Sequence, residues 1–348
     1  MGPSWIRYQC PDCAGELATV GQTLHCPHCK RGFERREGIL YLLPGRIEHE
    51  AVKLGEREAW RARGMKSLKE CEAQYLGLPF SEEQLPHFTH YREAAREFRL
   101  AARYLEPLAG KRGLDLGGSI GWAAWRFAQM GAEMVLADFN DDAVAGLGGA
   151  RVFLDQGPAF ERLCVDAERL PLADGQFDFV YCCAFLHHLP TPERVVRHVA
   201  RVLRPGGILL VSRESFCPYW MTRRRALTRC SMTVDFLAQG INEQVFYPHE
   251  YRRWFRQAGL SMQVVNPRWD ALEAGRILFN CRLRDAGYEP EILANRSARP
   301  GVAGTLARLM LRSGAWRPLT KEAIFASLRP LLLAGTQKFR ILIGTKPG

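Results

Sequence analysis

The sequence predicts an α/β protein whose main sheet is mostly parallel and covered by helices on both faces. From Arg112 onward, short apolar runs alternate with segments of helical spacing, as in strand–helix–strand units. The runs themselves, FDFVYCC among them, are nearly continuous in apolar residues, as strands buried on both faces require. The glycine-rich stretch GLDLGGSIGW, from Gly113 to Trp122, lies where such a strand hands over to a helix.

Taken in order, the region reads as strand Arg112–Gly117, helix Trp122–Met130 and strand Glu133–Asp138. Strands Arg162–Asp166 and Phe177–Cys183, helix Pro192–Leu203 and strand Ile208–Arg213 follow. Sheets of this kind bind ligands at the carboxyl ends of their strands. That rule selects Asp115 to Gly121, Asp138, Asp166 and the residues after Cys183. Gly117, Gly118 and Gly121 allow a tight turn and a close backbone approach to a ligand. Asp138 lies 23 residues after Asp115, placed either to hold ribose hydroxyls or to close a turn. Asp166 is placed to accept a bond from a base amino group, or to cap the turn before GluArgLeuPro. To this point a nicotinamide-dependent oxidoreductase fits nearly as well as other nucleotide-using enzymes.

The N-terminus has a different chemistry. Cys10-Pro-Asp-Cys13 and Cys26-Pro-His-Cys29 form two CxxC knuckles around AGELATVGQTLH, which reads as a hairpin. Two such turns facing each other complete a tetrahedral thiolate site, and four thiolates leave no open position. The expected metal, Zn2+, is therefore structural, with His25 and His28 as flanking residues. A unit this short needs such a metal to fold.

Of the 348 residues, 47% are hydrophobic and 24% charged, the composition of a globular protein. No apolar run approaches the ~18 residues of a membrane span. MGPSWIRYQCPDC lacks the apolar core of a secretory signal, so the expectation is a cytoplasmic protein with reduced cysteines. The net charge of +11 is uneven: from Cys217 to Gly348 there are 21 Lys and Arg against 9 Asp and Glu. That excess suits nucleic acid, an anionic lipid surface or an acidic substrate, and also a solvated face without a partner.

The block VDAERLPLADGQFDFVYCCAFLHHLPTPERVVRHVARVLRPGGILLVS, spaced after LDLGGSIG, resembles class I S-adenosylmethionine-dependent methyltransferases, the type 11 group in particular. The resemblance covers roughly residues 88 to 214, and less closely 243 to 266. It implies a Rossmann-like seven-stranded methyltransferase sheet, mostly parallel with the last strand antiparallel. NEQVFYPHEYRRWFRQAGLSMQVVNP looks like the family's late helix and sixth strand, and KFRILIGTKPG like its closing strand.

The cofactor implied is S-adenosylmethionine. Asp115, Gly117, Gly118, Ser119 and Gly121 would line its methionine end, Asp138 its ribose, Asp166 and Ala167 its adenine, with Cys183 also in contact. Ser119 stands where many members have glycine. Cysteine knuckles followed by GILYLLP resemble the small zinc-ribbon proteins that activate such enzymes. The chain thus divides into a zinc ribbon (1–45), a helical linker and cofactor lid bearing Tyr91 and Phe98 (46–110), a core (111–216) and substrate-recognition insertions with closing strands (217–348).

For the acceptor, no Asn-Pro-Pro-Tyr or Asp-Pro-Pro-Tyr follows the fourth strand, which weighs against base amines. His187, with His188 second, is the candidate proton acceptor from a hydroxyl, or else one packs under the sheet and the other caps a turn. Cys182 and Cys183 stand where cytosine-5 methyltransferases carry a nucleophile, but buried small residues are the plainer reading. His87 and Tyr91 are further candidates for substrate contact, and TRRRALTR at Thr222–Arg229 for phosphate. The expected acceptor is a small molecule or a glycan- or lipid-linked hydroxyl, with peripheral contact to an anionic membrane surface. RNA, and a non-catalytic scaffold, are the alternatives.

Overall fold

The computed structural model describes residues 3–21, 23–63, 68–79, 89–217, 219, 221–228, 231–265 and 341–348. The N-terminal segment forms a small antiparallel sheet of β1 (Ala18–Val20), β2 (Thr23–His25) and β3 (Gly32–Phe33), followed by β4 (Arg35–Arg36) and β5 (Ile39–Leu42). Helices α1 (Glu50–Arg63), α2 (Leu68–Gly77) and α3 (Thr89–Leu105) lead into the alternating region. That region comprises β6 (Arg112–Leu116), α4 (Trp122–Gln129), β7 (Glu133–Asp138), α5 (Arg151–Leu154), β8 (Glu161–Val165), β9 (Phe177–Cys183), α6 (Pro192–Val202) and β10 (Leu203–Ser212). Then come α7 (Arg223–Leu227), α8 (Ser231–Ala238), α9 (Pro248–Gln257), β11 (Ser261–Val265) and β12 (Ile341–Thr345).

The main sheet runs β11-β12-β10-β9-β6-β7-β8-β5-β4. Strands β10, β9, β6, β7 and β8 are mutually parallel, and β12 lies antiparallel between β10 and β11. These seven strands are the mostly parallel sheet with an antiparallel last strand that the sequence predicts. Two more strands extend it among the described residues: β5 pairs in parallel with β8, and β4 antiparallel with β5. The GILYLLP stretch is therefore a strand of the main sheet. Its composition explains why, for Leu40 and Leu42 enter the core on one face and Ile39 on the other.

Several element ends differ from expectation, most by one residue, and two of them have a visible cause. Strand β6 stops at Leu116 because Gly117 turns into the left-handed region at φ +73°. Strand β10 starts at Leu203, which pairs with Phe177 before a register shift reaching Ile208. The Arg-Pro-Gly-Gly stretch is thus an irregularity within the strand.

The N-terminal segment docks by backbone pairing as well as through β5. Tyr8 forms an antiparallel bridge with Leu172, and Ala173 N–H donates to the Arg7 carbonyl at 3.0 Å. Trp5 packs edge-on against Phe177 at 5.6 Å, and Cys10, Cys26 and Phe33 belong to the same core as the sheet.

On the other face, Phe127 of α4 is fully buried among Phe98, Phe179 and Tyr181, at centroid distances of 4.7, 5.2 and 5.4 Å. Helix α3 therefore holds Phe98 in the core, and this residue is not part of a lid as expected. Among the described residues no helix is long and apolar enough to cross a membrane. The stretch 266–340, part of the expected substrate-recognition insertions, lies outside the described residues.

Replacing Phe127 by alanine is expected to lower unfolding free energy by about 3–5 kcal/mol in denaturant titration. A loss below about 1 kcal/mol would show that this aromatic cluster is not the keystone of the α4 face.

Candidate active site

A cavity of about 720 Å³ opens at the carboxyl ends of β6, β7, β8, β9 and β10. From the sequence-predicted set it receives Gly117, Ser119 and Asp138 on one side, and Asp166, Ala167 and Cys183 on the other. His187 and His188, in the short turn after β9, also line it. Asp115, Gly118 and Gly121 are not on its wall. They form the packed underside of the turn, where a Cβ on Gly118 would come within 2.5 Å of Asp115 and Leu136.

Three strands end in a non-glycine residue held in the left-handed region, and all three residues line the cavity. They are Ser119 (φ 50°) after β6, Ala184 (φ 51°) after β9 and Arg213 (φ 61°) after β10. Each such conformation costs on the order of 1 kcal/mol or more and must be held by its surroundings. At Ser119 the surroundings are Asp138, whose Oδ2 accepts the Ser119 N–H at 2.8 Å, and the Ala145 carbonyl, which accepts the hydroxyl at 2.9 Å. Asp138 Oδ1 accepts from Asn140 N–H at 2.8 Å, so this carboxylate ties the glycine turn to the end of β7.

Beneath the turn, Asp115 Oδ2 accepts from Ala124 N–H at 3.0 Å, whereas its buried Oδ1 has no partner. Burial pushes the Asp115 carboxyl up to about 7, against the pull of the Ala124 bond and with a further push from Asp138. Burial also raises the Asp138 carboxyl, opposed by its backbone donors.

Asp166 sits at the end of β8, but its oxygens are engaged. Lys53 Nζ, on α1, lies 2.9 and 2.8 Å from them and 2.7 Å from Glu168. Asp166 also caps the following turn through Glu168 N–H. For Glu168, burial works upward, yet Lys53 and Thr191 hold the carboxyl below its ordinary range. Helix α1 covers the cavity, and α3 reaches it through Glu97. Lys53, Glu56, Arg57 and Trp60 line the cavity at spacings of three, four and seven along one helix face.

The histidine turn is organised by Glu214, just past β10. Its buried carboxylate accepts the backbone N–H groups of Phe185, Leu186 and His187 at 3.0–3.1 Å. It also takes the Tyr251 hydroxyl and His187 Nδ1, each at 3.0 Å. Burial alone would raise the Glu214 carboxyl; His187 and the backbone donors hold it low. His188 Nδ1 lies 3.0 Å from both the Asn242 carbonyl and Glu56. Glu243, on the segment before α9, faces both imidazoles, with each Nε2 3.9 Å from one of its oxygens.

Cys182 and Cys183 follow the plainer of the two readings given for them. Cys182 is fully buried, and burial pushes the Cys183 thiol up to about 11, so neither is poised as a thiolate nucleophile. Among the described residues of the arginine run, 222–228, none lines the cavity; Arg223 pairs with Glu250 at 2.6 Å. His87 lies outside the described residues, as does the Tyr91 side chain.

Residues 114–211 match the model of a family described as "Methyltransferase domain". A ubiquinone biosynthesis O-methyltransferase of Pseudomonas aeruginosa is 31% identical over 162 residues, 45% of this chain and 68% of the relative. The chain belongs to the S-adenosylmethionine-dependent methyltransferases. A ubiquinone biosynthesis O-methyltransferase of Aromatoleum aromaticum is 33% identical over 159 residues, 44% of this chain and 65% of its own. Among solved structures, phosphoethanolamine N-methyltransferase 2 of Haemonchus contortus, in complex with S-adenosylmethionine, is 18% identical with a TM-score of 0.44. That likeness covers 72% of this chain and 52% of the other.

Sequence reasoning missed Glu214, Glu243 and the α1 face. Glu214 was within reach, being an acidic residue just past a strand end like Asp138 and Asp166. The α1 stripe was also readable, since its inward face is charged at helical spacing. Glu243 lies in an irregular segment and carries no such signal.

Two variants test this electrostatic frame. Glu214→Ala strands three buried N–H groups and is expected to cost about 3–5 kcal/mol in unfolding free energy. A cost under about 1 kcal/mol would show that the turn holds itself. The folded Asp115 carboxyl is raised from 3.8 to about 7. Its contribution to stability is therefore fullest below pH 3.8 and declines as pH rises through 7. Asp115→Asn should flatten the fall in stability between pH 4 and 7, and identical profiles would remove Asp115 as its source.

Proposed function

We propose that the enzyme methylates a hydroxyl of a small-molecule acceptor, a class that includes glycan- and lipid-linked acceptors. The observation that carries this reading is the wall of His187, His188 and Glu243, three proton-accepting side chains facing one cavity. The relatives named as ubiquinone biosynthesis O-methyltransferases support it. A volume of about 720 Å³ is in the range of small-ligand sites.

The residues fit the cofactor. The Gly117 turn is packed so closely against Phe185 that a Cβ there would approach the ring to 2.1 Å, leaving bare backbone at the cavity. Below it, the unpartnered Asp115 Oδ1 is an acceptor in waiting. In this reading Gly117 and Ser119 hold the methionine end, with Asp115 beneath. Asp138 takes the ribose hydroxyls and Ala167 lies along the adenine. Asp166 acts through Lys53, which already occupies its oxygens.

When bound, S-adenosylmethionine supplies a methyl group on a positively charged sulfur. The chain's own residues orient the acceptor and draw off its proton. Trp60, edge-on to Phe236 at 5.6 Å and to His188 at 6.2 Å, provides apolar cover beside the histidines. Water kept from that point strengthens every polar contact within it.

The N-terminal cysteines fit a structural zinc. The Sγ atoms of Cys10 and Cys29, and of Cys13 and Cys26, lie 3.4 Å apart, and all four ligand atoms fall within 4.8 Å of one another. Four thiolates close the coordination sphere, so this metal would stabilise the segment that docks on β8 and would take no part in methyl transfer.

Calorimetric titration tests the reading. S-adenosylmethionine should bind and NAD should not, and Asp138→Ala should weaken binding by at least about 10-fold, the loss of a charge-assisted hydrogen bond. Labelled methyl should then pass to phenolic or alcoholic acceptors and not to matched amines. Transfer to amines alone would overturn the hydroxyl assignment.

A further inference from the structure

The two histidines differ from ordinary pocket residues in how their Nδ1 atoms are used. His187 Nδ1 is 3.0 Å from the Glu214 carboxylate, and His188 Nδ1 is 3.0 Å from the Asn242 carbonyl and from Glu56. A carbonyl oxygen cannot donate, so His188 carries its proton on Nδ1. The Glu214 carboxylate, already accepting three backbone N–H bonds, imposes the same tautomer on His187. Both Nε2 lone pairs are thereby left open toward the cavity. Imidazoles that ligate a metal are prepared in this way, with a carboxylate or carbonyl behind the far nitrogen fixing tautomer and ring angle.

Glu243 supplies the third donor. Its two oxygens each stand 3.9 Å from a different Nε2, beyond hydrogen-bond range. That gap admits an ion with ligand bonds of about 2.0–2.2 Å. The ligand atoms of His187, His188 and Glu243 all fall within 4.8 Å of one another, and His187 and Glu243 are buried.

The two segments are clamped in register. Gln244 N–H donates to the His187 carbonyl at 3.1 Å, the Asn242 side chain to the His188 carbonyl at 2.6 Å, and the Gln244 side chain to the Leu189 carbonyl at 2.7 Å. The spacing of the three ligating side chains is thus set by hydrogen bonds that do not involve the ligand atoms themselves.

We infer that His187, His188 and Glu243 form a binding site for a divalent transition-metal ion of the zinc type, whose open positions face the cavity and receive the acceptor oxygen. Two imidazoles and one carboxylate are the donor set of catalytic zinc sites that keep a position open. The inference rests on the hydroxyl reading and deepens it. A hydroxyl bound to the ion releases its proton to solvent more readily, and the oxygen stays anchored for alkylation. The imidazoles then act as ligands, so uptake of the proton by a bare His187 is excluded while the ion is bound.

The test uses the full chain with its cysteine site saturated by zinc, and Co2+ as the probe. Titration should show one further equivalent of Co2+ per chain, with visible bands of a nitrogen–oxygen site and no intense thiolate charge-transfer band. Glu243→Gln, checked for folding by its thermal melt, should weaken that site by more than the about 10- to 100-fold that losing an outer partner costs. His188→Gln should do the same. No further equivalent, a thiolate spectrum, or unchanged affinity in Glu243→Gln would each overturn the site. S-adenosylmethionine titrated into the same samples keeps the two readings apart. Cofactor binding and hydroxyl methylation without a cobalt site would overturn the ion alone, whereas a cobalt site without hydroxyl methylation would sink the function it deepens.

Discussion

The buried carboxylate of Glu214 is the constraint on which the substrate side of the cavity depends. Three consecutive N–H groups at Phe185, Leu186 and His187 point at one anion, an arrangement that fixes the path of the chain leaving β9. The same anion reaches the Tyr251 hydroxyl on α9 and the His187 ring. An isolated buried charge would be prohibitive, and five donors make this one tolerable. The result is that β9, β10 and α9 meet at a single point, and the histidine turn hangs from it.

The cofactor side has its own version of the device. Asp138 links the glycine turn to the end of β7, and Asp166 with Glu168 links the end of β8 to Lys53 on α1. Each strand end is closed by an acidic group that binds backbone or a buried cation. Hence most of the acidic residues a ligand would meet are already oriented by the protein. Asp115 departs from this pattern, with one oxygen satisfied and one not.

Much of this was legible in the sequence because it follows from strand periodicity and from the rule that ligands gather at strand ends. The parallel run of β6 to β10, the antiparallel β12 and the glycine turn come directly from apolar runs and their punctuation. Long-range partnership was not legible. Nothing in GILYLLP says that it will pair with a strand 123 residues away, the separation of the partners Ile39 and Arg162. Phe98 shows the same limit, since an aromatic residue at helical spacing suits a lid or a core equally, and the buried rings of Phe127 and Tyr181 decided for the core. Glu243 belongs to an irregular segment whose position is set by its neighbours' hydrogen bonds, which no local pattern encodes.

The insertion of β5 beside β8 has a consequence for how the molecule is assembled. Parallel pairing requires both strands to exist, so β5 must wait with its β8 side unpaired until more than a hundred later residues have been made. During that interval the side of β5 that will pair with β8 is open to wrong partners. A local fold that holds the first forty residues together, such as the cysteine knuckles with their short hairpin, would shelter β5 until β8 arrives. The N-terminal segment then resembles a guard on the slowest contact in the sheet, with the strand carrying Asp166 as the part it protects.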